Sequence, residues 1–131
     1  MKKQLDFVRL WAPAEHAREP IAIDQAALRR AIRNQHKIRF TYRDLKTDQS
    51  TERIVRPLIM AFYGPIWLLA AWCEHRNDFR VFRVDRMADF LVLETAFLGE
   101  PGRTAEDFLK QCEARDRKKL GLLSRSSYSL A

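Results

Sequence analysis

The sequence predicts a mostly β (α+β) fold: a small barrel with one helix before it and one after. Two changes of period point to it. Apolar residues recur at helical spacing up to about residue 36, alternate from Ile38 onward, and return to helical spacing after Thr104. Between those changes lie five short strand-like segments separated by polar turns, the pattern of a small β unit closed on itself. A chain of 131 residues suits one domain, with core enough to fold without disulfides.

Residues 1–23 read as an arm or linker, in which Leu5, Phe7, Val8 and Leu10-Trp11 fit one strand or turn before Pro13 and Pro20 break the pattern. A helix follows over roughly 25–36, capped by Asp24, with Ala27, Leu28, Ala31 and Ile32 inward and Arg29, Arg30 and Arg33 toward water. Ile38 to Arg43 alternates as a strand, and Asp44 to Ser50 fits a hairpin loop. Residues 51–60 form a second strand, which Pro57 places at an edge or a bulge. Residues 66–73 are nearly all apolar, the signature of a strand buried on both faces. Phe79 to Val84 and Phe90 to Leu98 complete the set. Thr104 caps a last helix to about 118, with Asp107 as its capping-box partner and Phe108, Leu109 and Cys112 on the inner face. The domain thus spans 24–118, and the Lys- and Ser-rich residues 119–131 form a flexible tail.

Composition excludes several classes. Cys73 and Cys112 are too few for a disulfide framework and read as reduced, buried thiols. No apolar run reaches the ~20 residues of a membrane helix, and the charged start does not look like a secretory signal; a cytoplasmic location with no membrane partner is expected. The net charge of +7 favours an anionic partner, although the excess is spread along the chain rather than gathered in one stripe.

Catalysis finds no support. The four glycines are isolated, so no loop cradles phosphate, and no serine sits in a nucleophile elbow. Cys73 and His75 lack a second ligand pair of zinc spacing. Glu74, Asp78 and Asp85 lie near arginines, which favours ion pairing over a raised pKa. The chain reads as a non-enzyme without cofactor or metal.

The informative stretch runs from Trp67 to Arg86. Arg80, Arg83 and Arg86 recur every three residues, and strict alternation puts Arg80 and Arg86 on one face and Arg83 on the other. A buried arginine must meet a carboxylate, with Asp78, Asp85 and Glu52 as candidates, or an anionic ligand such as phosphate.

Taken in order, these residues resemble the WYL domain of bacterial DeoR/YafY-type helix-turn-helix transcriptional regulators. The resemblance covers about residues 24–110. It rests on Ala31-Ile32-Arg33, Phe40 to Asp44, Thr51 to Leu58, Trp67 to Arg86, and the tail with Gly102-Arg103 and Asp107-Phe108-Leu109. The name-giving Trp-Tyr-Leu reads Trp67-Leu68-Leu69 here, so the middle hydroxyl is missing. The resemblance implies a five-stranded Sm-like or SH3-like barrel that senses an effector for a separate DNA-binding domain. Residues 1–36 offer one good helix, too little for a helix-turn-helix reader of DNA.

The expected function is therefore that of an effector-sensing regulatory domain. The expected ligand is anionic, single-stranded DNA or a nucleotide, with operator DNA bound only through a separate helix-turn-helix domain and a homodimer possible. Arg80, Arg83, Arg86, Arg56, Tyr42, His75 and Trp67 are the candidate ligand-binding residues. Two alternatives are a ligand-free dimerisation module and a standalone Sm-like protein that binds RNA or single-stranded DNA.

Overall fold

A computed structural model describes residues 19–44, 46–63 and 66–116, Tyr63 by its backbone alone. The strand or turn expected near Leu5 to Trp11, the turn at Gly64-Pro65, the last residues of the C-terminal helix and the tail over 119–131 lie outside these residues.

Helix α1 covers Gln25–Asn34. The Asp24 carboxylate accepts the Ala27 amide at 3.1 Å, satisfying one of the donors that a helix start leaves over. Gln35 ends the helix in the left-handed region at φ 56°, two residues before the end expected from the sequence, and His36 already begins β1. Five antiparallel strands follow: β1 (His36–Arg43), β2 (Ser50–Tyr63), β3 (Ile66–Cys73), β4 (Asp78–Arg83) and β5 (Met87–Ala96). The β1–β2 and β3–β4 hairpins close alike. Asp48 N bonds Asp44 O, Asn77 N bonds Cys73 O, and Asp48 and Asn77 take the positive φ that short polar side chains tolerate. Helix α2 covers 105–116 of the described residues. Its start is the expected capping box: Thr104 Oγ1 accepts the Asp107 amide at 3.1 Å, and Asp107 Oδ2 accepts the Thr104 amide at 3.1 Å.

The sheet order is β4-β3-β2-β1-β5. This corrects the expected barrel: β4 and β5 are the two edges and share no ladder, so the sheet is open. It is nevertheless strongly curled, because only the 3-10 turn Val84–Arg86 joins its opposite edges. The rings of Phe40 on β1 and Phe82 on β4 meet across the curl with centroids 5.1 Å apart. At the end of β4 the Arg83 amide is taken by the Tyr42 hydroxyl and not by a strand carbonyl. The turn also ends strict alternation, so the placement of Arg86 follows from the turn and not from strand period.

Three register shifts interrupt the sheet, one of them between His36↔Ala96 and Ile38↔Val92. Between Pro57↔Ala71 and Ile59↔Ala70, Leu58 has no partner. Pro57 thus lies at a bulge of an interior strand, beyond Val55, where the register with β1 ends, so its missing N–H breaks no rung there. In β5, Thr41↔Ala88 and Arg39↔Leu91 leave an extra residue, and Asp89 absorbs the bend at φ 51°.

Burial runs on both sides of β3. Leu69, Ala71 and Cys73 enter an inner cluster with Leu28, Ile38, Phe40, Tyr42, Val55, Phe82 and Met87. Ile66, Leu68, Ala70 and Trp72 enter an outer cluster, covered by Phe108 and Cys112 of α2. Cys73 and Cys112 form no disulfide and lie buried in different clusters. Ile21 and Ile23 of the expected arm also pack on the inner cluster.

Candidate anion-binding site

The seven predicted residues do not form one face. Arg83 is 1% exposed and forks onto Asp85, Nε to Oδ1 at 3.0 Å and Nη2 to Oδ2 at 2.8 Å. Burial alone would raise the Asp85 carboxyl, but hydrogen bonds from Arg83 and from the Glu19 amide hold it below the usual carboxylate range. Tyr42 is buried, its hydroxyl accepts the Arg83 amide at 3.1 Å, and burial raises its pKa. Together Tyr42, Arg83 and Asp85 tie β1, β4 and the 3-10 turn into one network.

Arg56, 6% exposed, donates from Nε to Glu74 at 2.6 Å and from Nη1 to Glu100 at 3.0 Å. Burial opposes its charge, but these two carboxylates outweigh it and raise the guanidinium pKa. Arg56 therefore clamps the start of the β3–β4 turn to the segment after β5. His75 stands exposed in that turn. Trp67 lies near the opposite end of β3, half-buried, with Phe62 edge-on at 4.7 Å and the Arg29 guanidinium 5.5 Å from its ring centroid. Leu68, in place of the family tyrosine, is buried in the outer cluster and opposes Arg83 in the β3–β4 register.

Arg80 is different. It is half-buried, opposes Ala71 in register, and lies two residues before Phe82, so it shares the inner face of the curl. Arg53, which the sequence reading did not single out, opposes Phe40 and precedes the buried Val55 by two, so it shares that face. Neither arginine makes a hydrogen bond or ion pair among the described residues. Arg53 is 9% exposed, and its Nε is buried with no hydrogen-bond partner. Burial, then the positive charges of Arg76 and Arg53, lowers the Arg80 pKa. Asp44 feels the charge of Arg80, and two backbone amides of its own loop, Lys46 and Thr47, both donate to its Oδ1. An open groove of about 850 Å³ runs past Arg53, bordered by Lys37, His75 and Arg76 together with Glu52 and Glu74, and Lys37 pairs with Glu74 at 3.3 Å. Alternation of Arg53 with Val55 was the available signal for this position.

Arg86 belongs to a separate group. Its side chain, 10% exposed, brings Nε to 3.1 Å from Glu19 Oε2, while Arg43 Nη2 donates to Glu19 Oε1 at 2.6 Å. The Arg86 N–H does not aim at that oxygen, so its buried Nε makes no hydrogen bond. Among the described residues no group of three or more His, Cys, Asp or Glu could hold a metal ion. Among them, too, no helix is long and apolar enough to cross a membrane.

Comparison with known proteins gives this arrangement its context. The DNA-binding transcriptional repressor CapW of Stenotrophomonas maltophilia is 34% identical over 80 residues, 61% of this chain and 26% of the repressor. Protein PafC of Mycobacterium tuberculosis is 37% identical over 76 residues, 58% of this chain and 22% of that protein. The solved structure of proteasome accessory factor B/C (PafBC) of Arthrobacter aurescens matches with a TM-score of 0.53 and 33% identity, covering 57% of this chain and 12% of that one. The chain thus spans about a quarter of the length of the curated relatives it matches. The model of the WYL domain matches residues 25–92, from the first residue of α1 into β5, and the chain belongs to the WYL domain family.

Proposed function

We propose that this chain is the effector-sensing part of a bacterial transcriptional regulator, and that it binds an anionic ligand, single-stranded nucleic acid or a nucleotide, at the inner end of its curled sheet. Operator DNA would be bound by a separate helix-turn-helix domain. One observation carries the reading: Arg53 and Arg80 share one face, neither makes a hydrogen bond or ion pair among the described residues, and Arg53 keeps a buried Nε without a hydrogen-bond partner. A guanidinium removed from water without a counter-charge is costly, and a phosphate is the anion its fork fits best. Arg76 and His75 border the same groove and would follow a phosphate backbone outward. Tyr42 supports the site from beneath through Arg83. Arg83 and Arg56 serve it as scaffold, since carboxylates already engage both.

The test is fluorescence anisotropy of a labelled short single-stranded DNA across a salt series. Binding should weaken as salt rises, because each neutralised phosphate releases counterions. Arg80→Ala and Arg53→Gln should each weaken it about tenfold or more, the scale of one lost charge-assisted hydrogen bond. Absence of binding at low salt, or equal binding by both variants, would leave the ligand-free dimerisation module as the better reading.

A further inference from the structure

The Glu19 carboxylate lies between two arginines at the end of the sheet, touching Arg43 at 2.6 Å and Arg86 at 3.1 Å. Its backbone amide is held as well, donating to Asp85 Oδ2 at 2.9 Å. Glu19 precedes Pro20, which favours extended backbone at residue 19. These contacts surround a cleft of about 320 Å³, to which Thr41 and Ser50 contribute as well. Asp85 also borders it, but the Arg83 fork already absorbs that charge.

The fit of Glu19 is incomplete. A planar carboxylate offers two oxygens, and the buried Arg86 Nε goes without a hydrogen bond although one of them is near. A tetrahedral phosphate carries more acceptor oxygens and more charge, and it can meet both guanidinium groups and the flanking hydroxyls together. We propose that Glu19 is a built-in stand-in for a phosphate group: it fills the Arg43–Arg86 site in cis, and a ligand phosphate displaces it. Displacement removes the side-chain anchors of residue 19. The stretch 19–23, which has no regular secondary structure and connects α1 to everything N-terminal of it, then loosens from the sheet. The cleft is thereby a binding site and a coupling device together. This inference stands apart from the Arg53–Arg80 pair, and its readout is local to Glu19.

The experiment is amide NMR of the whole chain titrated with inorganic phosphate and, separately, with a short oligothymidylate with or without a 5′-phosphate. In wild type, inorganic phosphate should shift the Glu19 amide signal and speed its hydrogen exchange. Glu19→Gln, which keeps the side-chain shape and removes the competing charge, should bind phosphate about threefold to fivefold tighter, the scale of a half-exposed ion pair. Arg86→Gln should abolish the Glu19 response. If only the 5′-phosphorylated oligonucleotide acts, the ligand phosphate is a terminal monoester on a nucleic acid; if free phosphate acts too, the site reads the phosphate alone. Unchanged affinity in Glu19→Gln, or an unmoved Glu19 amide with every probe, would overturn the proposal.

Discussion

The Tyr42 hydroxyl accepts the backbone N–H of Arg83 at 3.1 Å, joining β1 to β4, strands that are not neighbours in the sheet. The bond fastens the curl on the side where β4 and β5 do not pair. Around it the rings of Tyr42 and Phe82 lie edge to face at 5.0 Å.

Tyr42→Phe keeps that ring packing and removes the acceptor from a buried amide. The loss should be about 1–3 kcal/mol, the desolvation cost of a donor deprived of its partner. Urea unfolding monitored by tryptophan fluorescence measures it. An unchanged midpoint would mean that water or a shifted carbonyl replaces the hydroxyl.

Asp85→Asn should be more damaging, because it leaves the Arg83 charge buried without its fork partner, at a cost of about 3–5 kcal/mol. The acid limb follows with a definite sign. Asp85 titrates lower in the folded chain than its ordinary 3.8, so folding favours the ionised form. Its contribution is complete above that ordinary value and disappears as pH falls through the lower folded one. Thermal melts between neutral and strongly acid pH should therefore show the Asp85→Asn deficit at neutral pH shrinking toward the acid end. A deficit that stays constant with pH would contradict this.

Arg53→Met tests the unpaired charge from the stability side. It keeps the apolar stem and removes a charge that no carboxylate among the described residues pairs with, so the domain should be as stable as wild type or up to about 1 kcal/mol more so. Binding of single-stranded DNA should weaken in the same protein. A clear loss of stability would show that Arg53 carries a structural interaction instead.

Trp67→Ala separates core from rim. A wholly buried tryptophan would cost about 3–5 kcal/mol, the figure that its place in the most apolar run suggests. Trp67 is half-buried beneath Arg29 and beside the half-exposed Phe62, so about 2 kcal/mol is expected. Calorimetric melting decides between the two values.

The local grammar of the fold was legible in the chain. Asp24 and the Thr104–Asp107 pair announced both helix starts, and the unbroken apolar run of β3 announced burial on two faces. Pro57 announced an edge or a bulge, and it lies at a bulge of an interior strand. What was hidden depends on long-range geometry. At the open side the Tyr42 hydroxyl takes a β4 amide across the curl, a contact between residues 41 positions apart. The arginines read alike in sequence, yet their fates depend on remote carboxylates. Glu100 reaches Arg56 across 44 positions, and Glu19 lies far upstream of Arg86. Arg53 was overlooked because one arginine between Glu52 and Ile54 looks like any solvated strand residue, although its alternation with Val55 already put it on the inner face.

The outer cluster on β3 has a practical side. The stretch that matches the WYL domain model stops at residue 92, whereas Phe108 and Cys112, which roof that cluster, come later. A fragment trimmed to the matched stretch would bare Leu68, Ala70, Trp72 and Phe79 as one continuous oily surface. Such a fragment would precipitate or self-associate for reasons unrelated to any natural pairing, and oligomers observed with it would describe the cut and not the protein.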